Sequence, residues 1–156
     1  MAIITLNNNS LSSVTSLPAA ITTGKVLQVV TSSHNVRFVT SSTSYVAATG
    51  YDLNITPSST SNKIFLISSG QMDNESSGRI AYGTFYRTIS GGSATHIGGD
   101  AEGISQVYEA DGRVQAPMTN SMLDSPSTTS QITYQVYIKG FGGQVSYNNN
   151  EGMAHF

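Results

Sequence analysis

Residues 132–139, Ile-Thr-Tyr-Gln-Val-Tyr-Ile-Lys, carry the alternation that decides the fold. Successive side chains of a β-strand point to opposite faces, so Ile132, Tyr134, Val136 and Ile138 share one face. Thr133, Gln135, Tyr137 and Lys139 share the other. The same period recurs upstream, where Ile80, Tyr82, Thr84 and Tyr86 oppose Ala81, Gly83 and Phe85. Ile64-Phe65-Leu66-Ile67 is the most apolar run and predicts a central strand covered on both faces. Val26-Leu27-Gln28-Val29-Val30 reads as a buried strand, followed by a turn at Ser32–Asn35 into a strand at Val36–Val39. Tyr45–Ala47 and Leu53–Ile55 are further strand segments before the breaker Pro57-Ser58-Ser59. Ser90–Gly103 is glycine-rich and reads as a long loop flanking a short strand near Ala94–Ile97. Ile104–Tyr108 and Val114–Met118 are fainter strands, and Gly140, Gly142 and Gly143 predict a hairpin into Val145-Ser146-Tyr147. Eight to ten short strands separated by turns, without a convincing helix, imply an all-β sandwich or barrel. A jelly-roll β-sandwich fits the strand number and length best.

Composition agrees with strands. The 156 residues include 15 Gly, and Ser and Thr make up about a quarter of the chain. Only 10% of residues are charged, against about 25% in ordinary globular proteins. The polar surface therefore comes from hydroxyls and amides. β-branched Thr suits a pleated surface, whereas the helix-favouring Lys and Glu are scarce. A net charge of −2 with scattered Lys and Arg provides no field to attract nucleic acid. No apolar run approaches the roughly 20 residues of a membrane-spanning helix. Cysteine is absent, which excludes disulfides and thiolate metal sites and agrees with synthesis in a reducing cytoplasm.

Residues 1–24 differ from the rest of the chain. Ile3, Leu6, Leu11, Val14 and Leu17 are apolar residues set in a matrix of Asn, Ser and Thr. Weak helix formers between them and Pro18 after them oppose a helix. The segment reads as an extended arm, with residues 25–156 as the head. An arm of this kind is either a plain tail or a segment that orders by laying its apolar residues on a partner.

Three blocks carry a likeness. They are Lys25–Val30, Ser41–Leu66 (SSTSYVAATGYDLNITPSSTSNKIFL) and Met122–Lys139 (MLDSPSTTSQITYQVYIK). Together with Ser10–Pro18 (SLSSVTSLP), they resemble a family of small virion proteins from tailed phages, especially marine and cyanobacterial ones. The resemblance is thinnest between Gly70 and Met118. It implies a jelly roll akin to the tumour-necrosis-factor head, a homotrimer, and a place in fibres, tail appendages or head decorations. It also implies a protein made in the host cytoplasm and carried on the virion.

Chemistry-bearing motifs are few. Six of the nine acids fall in pairs two apart: Asp73 and Glu75, Asp100 and Glu102, Glu109 and Asp111. Residues two apart in a strand share a face, so each pair could hold a cation or divide acid and base roles. Their Gly- and Ser-rich settings instead predict solvated loop charges. His34, His96 and His155 have no ligand spacing. No nucleophile elbow, dinucleotide fingerprint or P-loop is present. We therefore expect neither catalysis nor a metal or other cofactor. Eight Tyr without Trp is a mixture suited to adaptable binding surfaces. Tyr134, Tyr137 and Tyr147 are candidates for the trimer interface, and His96, Asp100 and Glu102 for a surface-contact loop. The expectation is an externally exposed fibre or tail-appendage protein, attached through its arm to other virion proteins and able to meet a host-surface glycan or protein. A capsid decoration is the competing role, and a free carbohydrate-binding module is the alternative of a different class.

Overall fold

The computed structural model describes residues 25–74 and 79–148, together with the backbone of 154–155. Among these, every regular element is a strand, and every strand pairing is antiparallel. The elements are β1 (Ser33–His34), β2 (Phe38–Thr40), β3 (Val46–Ile55), β4 (Ile64–Asn74), β5 (Arg79–Ile89) and β6 (Thr95–His96). They continue with β7 (Ser105–Glu109), β8 (Val114–Asp124), β9 (Ile132–Phe141), β10 (Val145–Tyr147) and β11 (Ala154–His155). In the first sheet β8 lies along the whole of β4, while β11 and β10 share the opposite edge and carry β1 and β2 outward. The second sheet runs β3, β9, β5, with β6 and β7 sharing the far edge of β5. The two sheets form a sandwich-like arrangement around one core.

The alternation in β9 sets that core. Ile132, Tyr134, Val136 and Ile138 are fully buried, and they meet Leu66, Met72, Met118, Val145 and Tyr147 of the first sheet. Burial contributes roughly 1.5–3 kcal/mol for each large apolar side chain. Slipping β9 by one residue would expose the whole set, so the register is strongly specified. At one end a polar clip joins the sheets. Arg87 on β5 donates to both carboxylate oxygens of Asp124 at 2.8 Å, and the Tyr134 hydroxyl donates to Asp124 Oδ2 at 2.6 Å.

Several expectations are corrected. Val26–Val30 is not a strand, and Val26 and Val29 are each 76% exposed. β4 is central, as expected, yet only its inner face is covered: Phe65 is 64% exposed and Ile67 52%. Nothing among the described residues lies over the outer face there. Val145–Tyr147 does not fold back on β9 as a hairpin. After Gly142, which has a φ of 81°, the chain crosses to the first sheet, where β10 pairs with both β2 and β4. Tyr45–Ala47 and Leu53–Ile55 belong largely to one strand, β3, whose register shifts between Ala47 and Asp52. Gly50 makes this bend possible. Its φ is 85°, and a Cβ there would lie 2.4 Å from the His34 ring. The expected Ser32–Asn35 turn contains β1, and the strand beginning at Val114 continues to Asp124. The long loop with a short strand near Ala94–Ile97 is found as expected, with β6 as the strand.

Burial raises the pKa of Tyr45, Tyr51, Tyr86, Tyr134 and Tyr147; that of Tyr147 is pushed up to about 12, against a hydrogen bond from Ser68 that lowers it. Phenolate therefore forms more readily in the unfolded chain, near pH 10. The stability tied to these groups is fully present below pH 10 and is lost as pH rises through their folded values. Thermal melts should thus hold their midpoint up to about pH 9 and fall steeply above pH 10. Near-ultraviolet titration at pH 11 should show a phenolate jump on adding denaturant; equal absorbance before and after would contradict the buried tyrosine set.

Candidate binding surface

The polar face of β9 and the matching face of β5 form the outer side of the second sheet, and there the aromatic residues gather. Tyr86 stands between two rings. Its centroid is 3.9 Å from that of Tyr137 at an interplanar angle of 18°, and 5.0 Å from that of His96 at 23°. The three residues come from β9, β5 and β6, and the pairing of Tyr86 with His96 across β5 and β6 sets their alignment. Tyr45, just before β3, tilts against His96 at 5.4 Å. All four are half-buried, so the ridge is accessible while its geometry is held by packing. Offset ring contacts of this kind contribute about 0.5–1.5 kcal/mol each beyond burial.

Hydrogen bonds lock the ridge from beneath. Thr84 is fully buried and donates its hydroxyl proton to the Gly98 carbonyl at 2.7 Å. Its oxygen lies 2.9 Å from His96 Nε2. With the only hydroxyl proton already committed, His96 must donate through Nε2, leaving Nδ1 as the acceptor. The imidazole in this tautomer cannot take the Thr84 proton, so the pair orients a ring and does not activate a nucleophile. Lys139 closes the margin. Its ammonium sits 4.6 Å from the Tyr45 centroid and 4.9 Å from that of Tyr82, and it donates to the Ala101 carbonyl. Burial raises the Tyr45 pKa, and the nearby Tyr86, Tyr82, Asp100 and Glu102 raise it further.

The loop expected to make surface contacts is thus split in role. His96 is built into the ridge. Asp100 and Glu102 are exposed beside it, in a turn where the Glu102 N–H donates to Asp100 Oδ1 at 2.8 Å. Of the three trimer-interface candidates, only Tyr137 lies on an outer face. Tyr134 and Tyr147 are fully buried within the chain's own core, because their inward β9 and β10 positions meet between the sheets. They are core residues here, not interface residues. The arm residues Ile3, Leu6, Leu11, Val14 and Leu17 lie outside the described residues.

The acid pairs are also revised. Asp73 is not a solvated loop charge: it lies in β4, fully buried, and accepts two hydrogen bonds from Arg113 Nε and one from Nη2. Glu109 accepts from the N–H groups of Ala110 and Asp111, fastening its own turn. No group of three or more His, Asp or Glu able to hold a metal ion occurs among the described residues. Sequence reasoning placed Tyr82 and Tyr86 on one face but missed Tyr45 as their neighbour, since the segment before β3 reaches the ridge only through sheet pairing. No family model, curated protein or solved structure matches the chain.

Proposed function

We propose that this chain is a non-enzymatic structural protein of a bacteriophage virion. In this reading residues 25–156 form a jelly-roll head, assembled as a homotrimer and exposed on a fibre or tail appendage. Residues 1–24 attach it to another virion protein, and the outer face of the second sheet touches the host surface. Support comes from the antiparallel sandwich, from the sequence blocks that resemble small phage virion proteins, and from the surface chemistry. The observation that carries it is the half-buried ridge of Tyr137, Tyr86, His96 and Tyr45, which presents rigid, mutually packed aromatic area on the outer face of the second sheet. Such groups lose little conformational entropy on contact and combine an apolar body with a polar tip. Polar neighbours extend the surface, including the Thr133 hydroxyl bonded to Asn54 at 2.6 Å.

Competition during adsorption tests this reading. Purified protein should slow attachment of the phage to its host, and Tyr137→Ala should raise the concentration for half-inhibition by about tenfold, the loss of one aromatic contact of about 1.4 kcal/mol. A capsid decoration would not compete at any concentration. A free carbohydrate-binding module would be missing from purified particles, and deleting residues 1–24 would leave its ligand binding unchanged.

A further inference from the structure

Among the described residues, the first sheet lacks a strand partner along part of one edge. β8 pairs with β4 over its full length, but on the opposite edge the described residues pair only at Ser69, with β11, and at Met72–Asn74, with β10. Ile64–Ile67 therefore has no strand partner on that side among the described residues. Across the cleft from it lies the Lys25–Thr31 segment, which likewise pairs with no described strand. Between these two segments lies a cleft of about 840 Å³, walled by Leu53 and Ile55 at the edge of β3 and reaching inward to Leu66 and Tyr134. Unpaired N–H and C=O groups on a sheet edge form a template for another strand. Here the template borders an apolar cleft, and its lower end meets the antiparallel ladder, with His155 opposite Ser69.

We infer that this slot receives residues 2–6 (Ala-Ile-Ile-Thr-Leu) of a second copy of the chain as an added antiparallel strand. Four residues of edge span roughly 14 Å, so a five-residue segment fills it. Residues 2–6 carry no charge and alternate Ala2, Ile4 and Leu6 with Ile3 and Thr5, which sends one apolar set into the cleft. Leu17–Ile21 is apolar too, but it contains Pro18, which has no backbone N–H to donate to a neighbouring strand. A second copy is required by what lies next to the slot. Phe65, Ile67 and Leu123, the last 56% exposed, form an apolar patch on the outer face of the same strands. An arm folded back within one subunit would fill the slot and leave that patch in water. A neighbouring head whose arm crosses over covers both. The 24 residues before Lys25 reach up to roughly 80 Å when extended, well beyond the width of one such domain. The inference stands apart from the virion reading, and it leaves Leu11, Val14 and Leu17 for attachment to the particle.

The full chain lacks cysteine, so disulfide trapping tests this directly. One copy bearing Phe65→Cys is mixed with another bearing Ile3→Cys or Thr5→Cys, and the mixture is oxidised. The expected product is a cross-link between the two different copies, absent when Leu11→Cys replaces the arm cysteine. In parallel, Ile4→Asp, which lies outside the head, should raise the oligomer dissociation constant more than tenfold and release a species of 16.5 kDa. Three results would overturn the inference: no cross-link from either arm position, a cross-link only within single copies carrying both cysteines, or an unchanged mass for Ile4→Asp. None of these results bears on adsorption competition, so the two proposals fail separately.

Discussion

Asp124→Ala is expected to destabilise the protein by about 3–5 kcal/mol, lowering its melting temperature by on the order of 10 °C. Asp124 closes the first sheet onto the second by accepting from Arg87 and from the Tyr134 hydroxyl. The Arg87 and Asp124 side chains are 20% and 10% exposed, so both charges have left most of their hydration behind. Removing the carboxylate strands a guanidinium and a phenol hydroxyl in the mouth of the core. The cost is that of uncompensated buried polarity rather than of one hydrogen bond. Tyr134→Phe leaves the ion pair intact and should cost only about 1–2 kcal/mol. The double variant Arg87→Met with Asp124→Leu removes both charges and should recover most of the loss, because a buried pair and a well-packed apolar pair are close in free energy. Urea unfolding midpoints measure all three. An Asp124→Ala cost below about 1 kcal/mol, the range of a surface ion pair, would show that the clip does not hold the sheets together.

Gly103→Val should cost about 3 kcal/mol and act on the ridge more than on the core. Gly103 has a φ of 79°, a conformation that β-branched residues rarely adopt. A Cβ at this position would lie 2.5 Å from the Tyr45 hydroxyl and 2.7 Å from the Gly83 carbonyl oxygen. The hydroxyl has some freedom to move; the backbone carbonyl has little. The loop segment must lift, and with it goes the bond from the Ile104 N–H to Gly83 at 3.0 Å. Hydrogen exchange at Ile104 and His96 should quicken while the β9 amides keep their protection. Gly112→Val provides the comparison: its φ is 109°, but no atom lies within 4 Å of the added Cβ. If the two variants cost the same, backbone strain alone is at work and the close seat of the loop on β5 carries no weight.

Legibility of the fold followed the period-2 signal. β9 and β5 were readable because each sends an apolar set inward and a polar set outward, and the sandwich core follows from that asymmetry. β8 was half-hidden, since Asn120 and Ser121 interrupt its apolar pattern; pairing with β4 carries it on to Asp124. Val26–Val30 misled for the opposite reason. Its composition suits a buried strand, but burial requires a neighbour, and none of the described segments occupies the space between it and β4. Of the candidate site, His96 and Tyr137 were both named from the sequence. Their meeting over Tyr86 depends on the lateral order β9, β5, β6, which no local pattern encodes.

Alternation along the chain by itself determined that this protein is built of strands and that Tyr134 faces inward; these 156 residues hold no cysteine and no apolar run long enough for a membrane-spanning helix. Only the tertiary structure decided which sheet each strand joins, that Tyr147 is core rather than surface, that Asp73 is buried against Arg113, and that Ile64–Ile67 of β4 has a strand partner on one side alone among the described residues. The physical reason is that the direction of a side chain follows from its own backbone. What covers that side chain, or leaves it uncovered, is set by strands far away in sequence.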